Sequence, residues 1–197
     1  MKILVEKTSL SLVLRWAQRT LFTSAFLTLG YCAFVGMDRW IFQHQGQQDF
    51  EALLQHQHHG QVPPEFGPDG LLGRIEILRL GVSVLVVEGT GEQGLQRAAG
   101  HIKGTSMPGQ PGNVGIAGHR DSFFRPLRNI RNDDVITLAT LRGEYRYRVV
   151  STKIVTPEDI AVLDPDGNEI LTLVTCYPFY FVGSAPNRFI VRAQRVS

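Results

Sequence analysis

A thiol, an imidazole and a guanidinium stand in this chain at positions from which one site can be assembled. Between Leu171 and Ala193 an apolar strand ends at Cys176, a loop carrying Pro178, Gly183 and Pro186 follows, and a second strand opens at Arg188. If the two strands pair side by side, the loop returns the guanidinium to the thiol at one end of a sheet. Arg stays charged and only donates hydrogen bonds, so its work there is charge stabilisation, not proton removal. A thiol also needs a basic partner before it becomes a useful nucleophile. The best-placed imidazole is His119, which closes the short apolar run from Gly112 to Gly118. His101, after Ala98-Ala99-Gly100, is its rival; His119 is preferred because a strand end holds a reacting group more rigidly than a loop.

The plain readings of these residues differ. A lone Cys is most often a buried core residue, but Cys176 stands at a strand end with a proline-bearing loop directly after it. Arg192 shares a strand face with Arg188, and Arg120 adjoins His119, yet Arg188 alone lies at the loop end of its strand. Thr175 reads as an ordinary β-branched strand residue. Tyr177, Pro178 and Phe179 either line a substrate groove or pack the loop, and the sequence does not separate the two.

Short strands with turn signals must position this set. Residues 72–78 and 82–88 read as a hairpin around Arg79-Leu80-Gly81, 91–99 as a short helix, and 113–118 as a strand. Residues 134–141 and 144–155 form a second hairpin across Arg142-Gly143, and 169–176 and 188–196 complete the pattern. So many short strands in one domain favour a mostly β barrel or sandwich. Asp164-Pro165-Asp166-Gly167-Asn168-Glu169 clusters oxygens, but without EF-hand spacing it reads as a tight turn.

Thr172, Leu173, Val174, Thr175 and Cys176, followed about a dozen residues later by Arg188, resemble the active-site signature of the sortases. The resemblance extends to Gly100-His101-Ile102, Gly104-Thr105, Pro108-Gly109 and Gly118-His119-Arg120, covers roughly residues 71–197, and is nearest to class D-like sortases. It implies a sortase-type eight-stranded β-barrel with short helices. It also implies transpeptidation: Cys176 attacks a sorting motif similar to Leu-Pro-x-Thr-Gly, His119 exchanges the proton, and Arg188 steadies the oxyanion. Thr175, His101 and Tyr177 follow as second-tier substrate or oxyanion residues, and no third, acidic member such as Asp121 is implied. The partners so implied are secreted proteins with a C-terminal sorting signal and an amine on a cell-wall precursor or another surface protein. No cofactor is required. Rival readings are a cysteine peptidase that only hydrolyses, and a catalytically silent barrel that binds surface proteins.

Composition narrows the field further. Lys and Arg number 20 against 18 Asp and Glu, a formal balance of +2 that implies no nucleic-acid partner. The two cysteines, Cys32 and Cys176, exclude a disulfide framework, and no Cys/His zinc pattern or metal-ligand set is present. Residues 20–37 carry no charge across 18 positions, a helical length of about 27 Å against a hydrocarbon core of about 30 Å. Trp16 and Trp40 flank the run. We therefore expect residues 1–19 to be cytoplasmic, 20–40 to be a transmembrane signal-anchor helix in the cell membrane, 41–70 a juxtamembrane linker, and 71–197 an extracytoplasmic catalytic barrel. The inside assignment rests on Lys2, Lys7, Arg15 and Arg19 before the span, with Arg39 beside Asp38 after it. The linker is rich in Gln and His, with Phe50, Leu53 and Leu54 as its few apolar residues, and reads as a short amphipathic helix or stalk. Its His44, His56, His58 and His59 read as solvated, not metal-bound, and Pro63, Pro64, Gly67, Pro68 and Gly70 mark the domain boundary.

Overall fold

Turn glycines and alternating apolar residues give this chain its strands, and a computed structural model shows how they close. It describes residues 2–56, 65–165, 167–181 and 183–196. His58, His59, Pro63, Pro64 and Asp166, which entered the linker, boundary and turn readings, lie outside these. Two compact bodies result, Met1–Ile41 and Phe42–Ser197, and helix α1 (Lys2–His56) contributes residues to both.

In the first body the apolar side chains, among them Leu21, Phe22, Phe26, Leu27 and Phe34, are exposed. The helix here is long and apolar enough to cross a bilayer, consistent with a membrane anchor. Its hydroxyls are satisfied within the helix. Thr20, Thr23, Ser24 and Thr28 donate to the carbonyls of Ala17, Arg19, Leu21 and Ser24 at 2.8–2.9 Å, so none of the four needs an outside partner in an apolar medium.

The second body is a closed barrel in the order β1-β2-β3-β4-β7-β8-β6-β5. The strands are β1 (Leu71–Ile77), β2 (Val82–Glu88), β3 (Ala99–His101), β4 (Gly112–Ala117), β5 (Val135–Thr140), β6 (Gly143–Val155), β7 (Glu169–Tyr177) and β8 (Asn187–Val196). A short helix α2 (Glu92–Arg97) precedes β3. Inward positions from every strand of the barrel meet in one core: Leu72, Ile75, Val84, Val86, Ala99, Val114, Ile116, Leu138, Tyr147, Leu171, Leu173 and Val191 are all buried there. The tip of the β1–β2 hairpin is fixed separately. Arg79 grips the buried Asp134 with both arms of its fork and donates to Asn129 O at 2.7 Å. Those hydrogen bonds hold the Asp134 carboxyl below the usual carboxylate range.

The segment of α1 from Phe42 onward, read above as linker, is part of this barrel body. The short strand β3 pairs with β2 only at Val86, Val87 and Glu88, which leaves the earlier part of that edge to be covered by other means. Gln43 bridges it: its amide nitrogen donates to Arg97 O at 2.6 Å and its oxygen accepts from Leu85 N at 3.2 Å. Gly46 allows the close approach, since a Cβ there would stand 2.4 Å from Leu85 Cδ1. One turn further on, Phe50 is fully buried in a second apolar cluster with Leu71, Leu85, Val87, Ala98 and Leu141. Phe50→Ala should cost about 3 kcal/mol of that packing. Hydrogen exchange on the full chain will show it as faster exchange across residues 42–54, and unchanged exchange there would mean the helix is held by something other than Phe50.

Candidate active site

Strand β7 carries the thiol because it is paired on both sides by strands whose ends bring the other groups. With β8 it is antiparallel, and the register sets Cys176 directly opposite Arg188. Alternation then decides the face. Leu171 and Leu173 of β7 and Val191 and Ala193 of β8 fill the core, so Cys176, Arg188, Ile190 and Arg192 lie on the outer face. Cys176 is a free cysteine, half-buried. Arg188 Nη1 donates to Ala185 O at 3.3 Å and Asn187 O at 3.1 Å. Both acceptors are neutral carbonyls, so neither offsets the guanidinium charge.

His119 arrives from the other side. Strand β4 runs parallel to β7 as far as the pair Ala117 and Val174, and the two strands stay latched beyond that point. Gly118 N donates to Val174 O at 3.1 Å, and the buried Thr175 Oγ1 donates to Gly118 O at 2.7 Å. His119, the residue after this latch, is thereby delivered to the same end of the sheet as Cys176. Gly118 is needed for packing, because a Cβ would meet the ring of the buried Phe124 at 2.6 Å. Phe124 N in turn donates to His119 O at 3.1 Å and closes the turn. His119, Cys176 and Arg188 are thus gathered at one end of the sheet.

The second-tier residues separate. Thr175 sits next to the site, with its hydroxyl committed to Gly118. Tyr177 has the inward parity, opposite Cys176, and joins a ring cluster: it stacks on Phe189 at 6.3 Å and meets Phe179 edge-on at 6.0 Å. These contacts pack it against the loop and β8. His101 is buried, with Nδ1 at 2.7 Å from Glu88 Oε2 and Nε2 at 3.0 Å from Thr105 Oγ1 and 3.1 Å from Ser106 O. Both ring nitrogens are engaged by the protein, and His101 ties β2 to the β3–β4 loop.

Two features were missed in the sequence. Arg120, weighed there as a rival to Arg188 and as part of the Gly118-His119-Arg120 block but given no loop contact, donates through Nη1 to Pro178 O at 3.2 Å and through Nη2 to Phe181 O and Gly183 O at 2.8 Å each. The other is a cavity of about 260 Å³ on the outer face. Ile190 and Arg192 of β8, Ser151 and Lys153 of β6, and Asp159, Ala161 and Val162 of the β6–β7 connection line it. The same connection reaches β4, where Asn113 Nδ2 donates to Val162 O at 3.1 Å and Asn113 Oδ1 accepts from the buried Thr172 hydroxyl at 2.7 Å. Among the described residues no three His, Cys, Asp or Glu side chains converge as a metal site.

A thiol paired with a guanidinium across two strands, with an imidazole at the same sheet end, offers groups able to act as a nucleophile, a charge stabiliser and a proton carrier. The model of the sortase domain matches residues 75–196. Sortase D of Bacillus subtilis (strain 168) is 36% identical over 126 residues, 64% of this chain and 64% of that protein. Sortase A of Listeria monocytogenes is 30% identical over 115 residues, 56% of this chain and 51% of that protein. The chain thus spans from about half to just under two thirds of these relatives' lengths. Among solved structures, a Clostridium perfringens Sortase D5 transpeptidase superposes with a TM-score of 0.63 at 26% identity, covering 81% of this chain and 98% of that one. Sortase C-1 from Actinomyces oris gives 0.61 at 29% identity, covering 66% and 74%.

Proposed function

The chain belongs to the sortase family, and from that premise we propose that it is a membrane-anchored cysteine transpeptidase whose working residues are Cys176, His119 and Arg188. The observation that carries this reading is the register pairing of Cys176 with Arg188, beside a β4 end latched to β7 through Gly118. Cys176, as thiolate, attacks the carbonyl of the Thr-Gly or Thr-Ala bond in a motif similar to Leu-Pro-x-Thr-Gly. Arg188 stabilises the oxygen that gains charge, in a preorganised position where such stabilisation counts most. His119, as imidazolium, gives its proton to the departing amine, the C–N bond breaks, and a thioester to Cys176 remains. An incoming amine then loses its proton to His119 and takes the acyl group, which restores the thiolate and the imidazolium.

The cavity beside Ile190 lies on the same outer face as Cys176 and suits the part of the motif that precedes the scissile bond. The acceptor amine belongs to a cell-wall precursor or another surface protein. The orientation that fits puts the N-terminus in the cytoplasm and the barrel outside, since Lys2, Lys7, Arg15 and Arg19 precede the apolar span. Substrate and enzyme tethered to one membrane gain effective concentration without new contacts.

The test uses the full chain in detergent micelles with a Leu-Pro-x-Thr-Gly peptide and triglycine, read by mass spectrometry. We expect a covalent enzyme–peptide adduct and a triglycine-ligated product. Hydrolysis that added amine does not divert makes the protein a peptidase instead, and neither cleavage nor adduct across motif variants removes the proposal.

A further inference from the structure

We propose that Arg120 is a positioning residue that ties the β7–β8 loop to the turn carrying His119; this rests on the catalytic reading above. The tripeptide Gly118-His119-Arg120 is bonded to β7 and its loop on both sides of Cys176. Before the cysteine, Gly118 exchanges hydrogen bonds with Val174 and Thr175. After it, the Arg120 guanidinium collects the carbonyls of Pro178, Phe181 and Gly183 at 2.8–3.2 Å. Its charged plane also lies over the Phe181 ring, 5.8 Å from the centroid. His119 is the residue between these two attachments, so its place relative to Cys176 is set from both flanks.

The chemistry of the contact is selective. Three carbonyls that converge on one point repel one another unless a donor-only group fills the space, and a guanidinium brings five N–H donors in a fixed plane. Arg120 is therefore engaged with backbone and not aimed at substrate. Its effect passes through the loop, which also delivers Arg188 to its position opposite Cys176. A lysine in its place has donors radiating from a single nitrogen and no plane to lie on Phe181, so it restores the tether in part.

The experiment compares Arg120→Met and Arg120→Lys with the parent, all as full chains in micelles. For Arg120→Met we expect kcat to fall about 100-fold, the scale of a small misplacement of reacting groups, with KM within about threefold of the parent. Arg120→Lys should lie between, about tenfold down. Backbone exchange across residues 177–187 should quicken at least about tenfold in Arg120→Met, with the rest of the barrel unchanged. A folded Arg120→Met with kcat within about threefold of the parent, or with unaltered exchange in 177–187, overturns the proposal. A loss that tracks only the melting temperature and spares kcat of the folded protein overturns it too. Should Arg120→Met not fold, Arg120→Lys is judged by the same two measurements. Because exchange needs no substrate, an inactive parent refutes the transpeptidase reading and unchanged exchange refutes the tether, so the two failures remain separate.

Discussion

Cys176→Ala is expected to abolish both the covalent adduct and the ligated peptide, with turnover down by at least about 10⁴-fold, the scale on which acyl-transfer enzymes lose activity with their nucleophile. The nearest outward groups on β8 are Arg188, Ile190 and Arg192, none of them a nucleophile. The substitution should leave the barrel intact, because Cys176 is half-buried and lies outside the inner core, and the removal of one sulfur atom there opens no sealed cavity. Mass spectrometry of the enzyme after incubation with peptide gives the decisive reading. Cys32→Ser supplies the control: Cys32 is exposed on the apolar part of α1, and its loss should leave both adduct and product unchanged. An adduct that persists in Cys176→Ala and vanishes in Cys32→Ser would reverse the assignment. Any ligation by Cys176→Ala above a hundredth of the parent rate would show that the thiol is not the acyl carrier.

Most of the barrel was legible because its strands are long enough to show a period. The hairpin readings at 72–88 and 134–155 agree with β1, β2, β5 and β6 to within about two residues, since Gly81 and Gly143 mark the turns. Strand β3 was not legible. Ala99-Gly100-His101 is too short to display alternation, and only its partners Val86, Val87 and Glu88 make it a strand. For the same reason the sequence weighed His101 as a rival base: its neighbour Glu88 is brought to it by a parallel pairing that no local pattern announces. The segment from Phe42 was read as a short amphipathic helix or stalk, and its helix agrees; what its Gln- and His-rich composition hid was that it packs as part of the barrel body. The residues that do the packing, Gln43, Gly46, Phe50 and Leu53, recur at steps of three and four, and that spacing was the available signal.

The candidate site followed a similar division. Cys176 facing Arg188 is readable from two strands and one loop, because an antiparallel return fixes register locally. His119 is not, since β4 and β7 are parallel and 51 residues lie from 118 to 168 between them; the family motif supplied what spacing did not. Tyr177 was within reach of the argument, because a neighbour of an outward residue on a strand faces inward, and it does pack against Phe189. Arg120 was beyond it. Its acceptors are main-chain carbonyls of Pro178, Phe181 and Gly183, and a carbonyl is present at every position of every sequence.

His119→Ala should lower turnover of the amide substrate by about 10³-fold, within the range removed with a general acid–base. The argument lies in the leaving group. An amine cannot depart from a tetrahedral carbon without a proton, and His119 follows directly on the β4 end latched to β7 through Gly118. A peptide thioester of the same sequence departs as a thiolate and needs no such proton. With that substrate the first step, read as rapid release of the thiol, should lose no more than about tenfold in His119→Ala. The second step, aminolysis by triglycine, should remain slow for both substrates, because the incoming amine still has to lose a proton. Equal losses on amide and thioester would mean that His119 serves the thiol of Cys176 and not the departing amine. No loss on either would return the base to another residue; His101, with both ring nitrogens held by Glu88, Thr105 and Ser106, has none free to move a proton without breaking the β3–β4 loop's attachment. A His101→Gln variant therefore distinguishes the two histidines. Its loss should be the same on amide and thioester, as expected of a residue that shapes the barrel and takes no part in proton transfer.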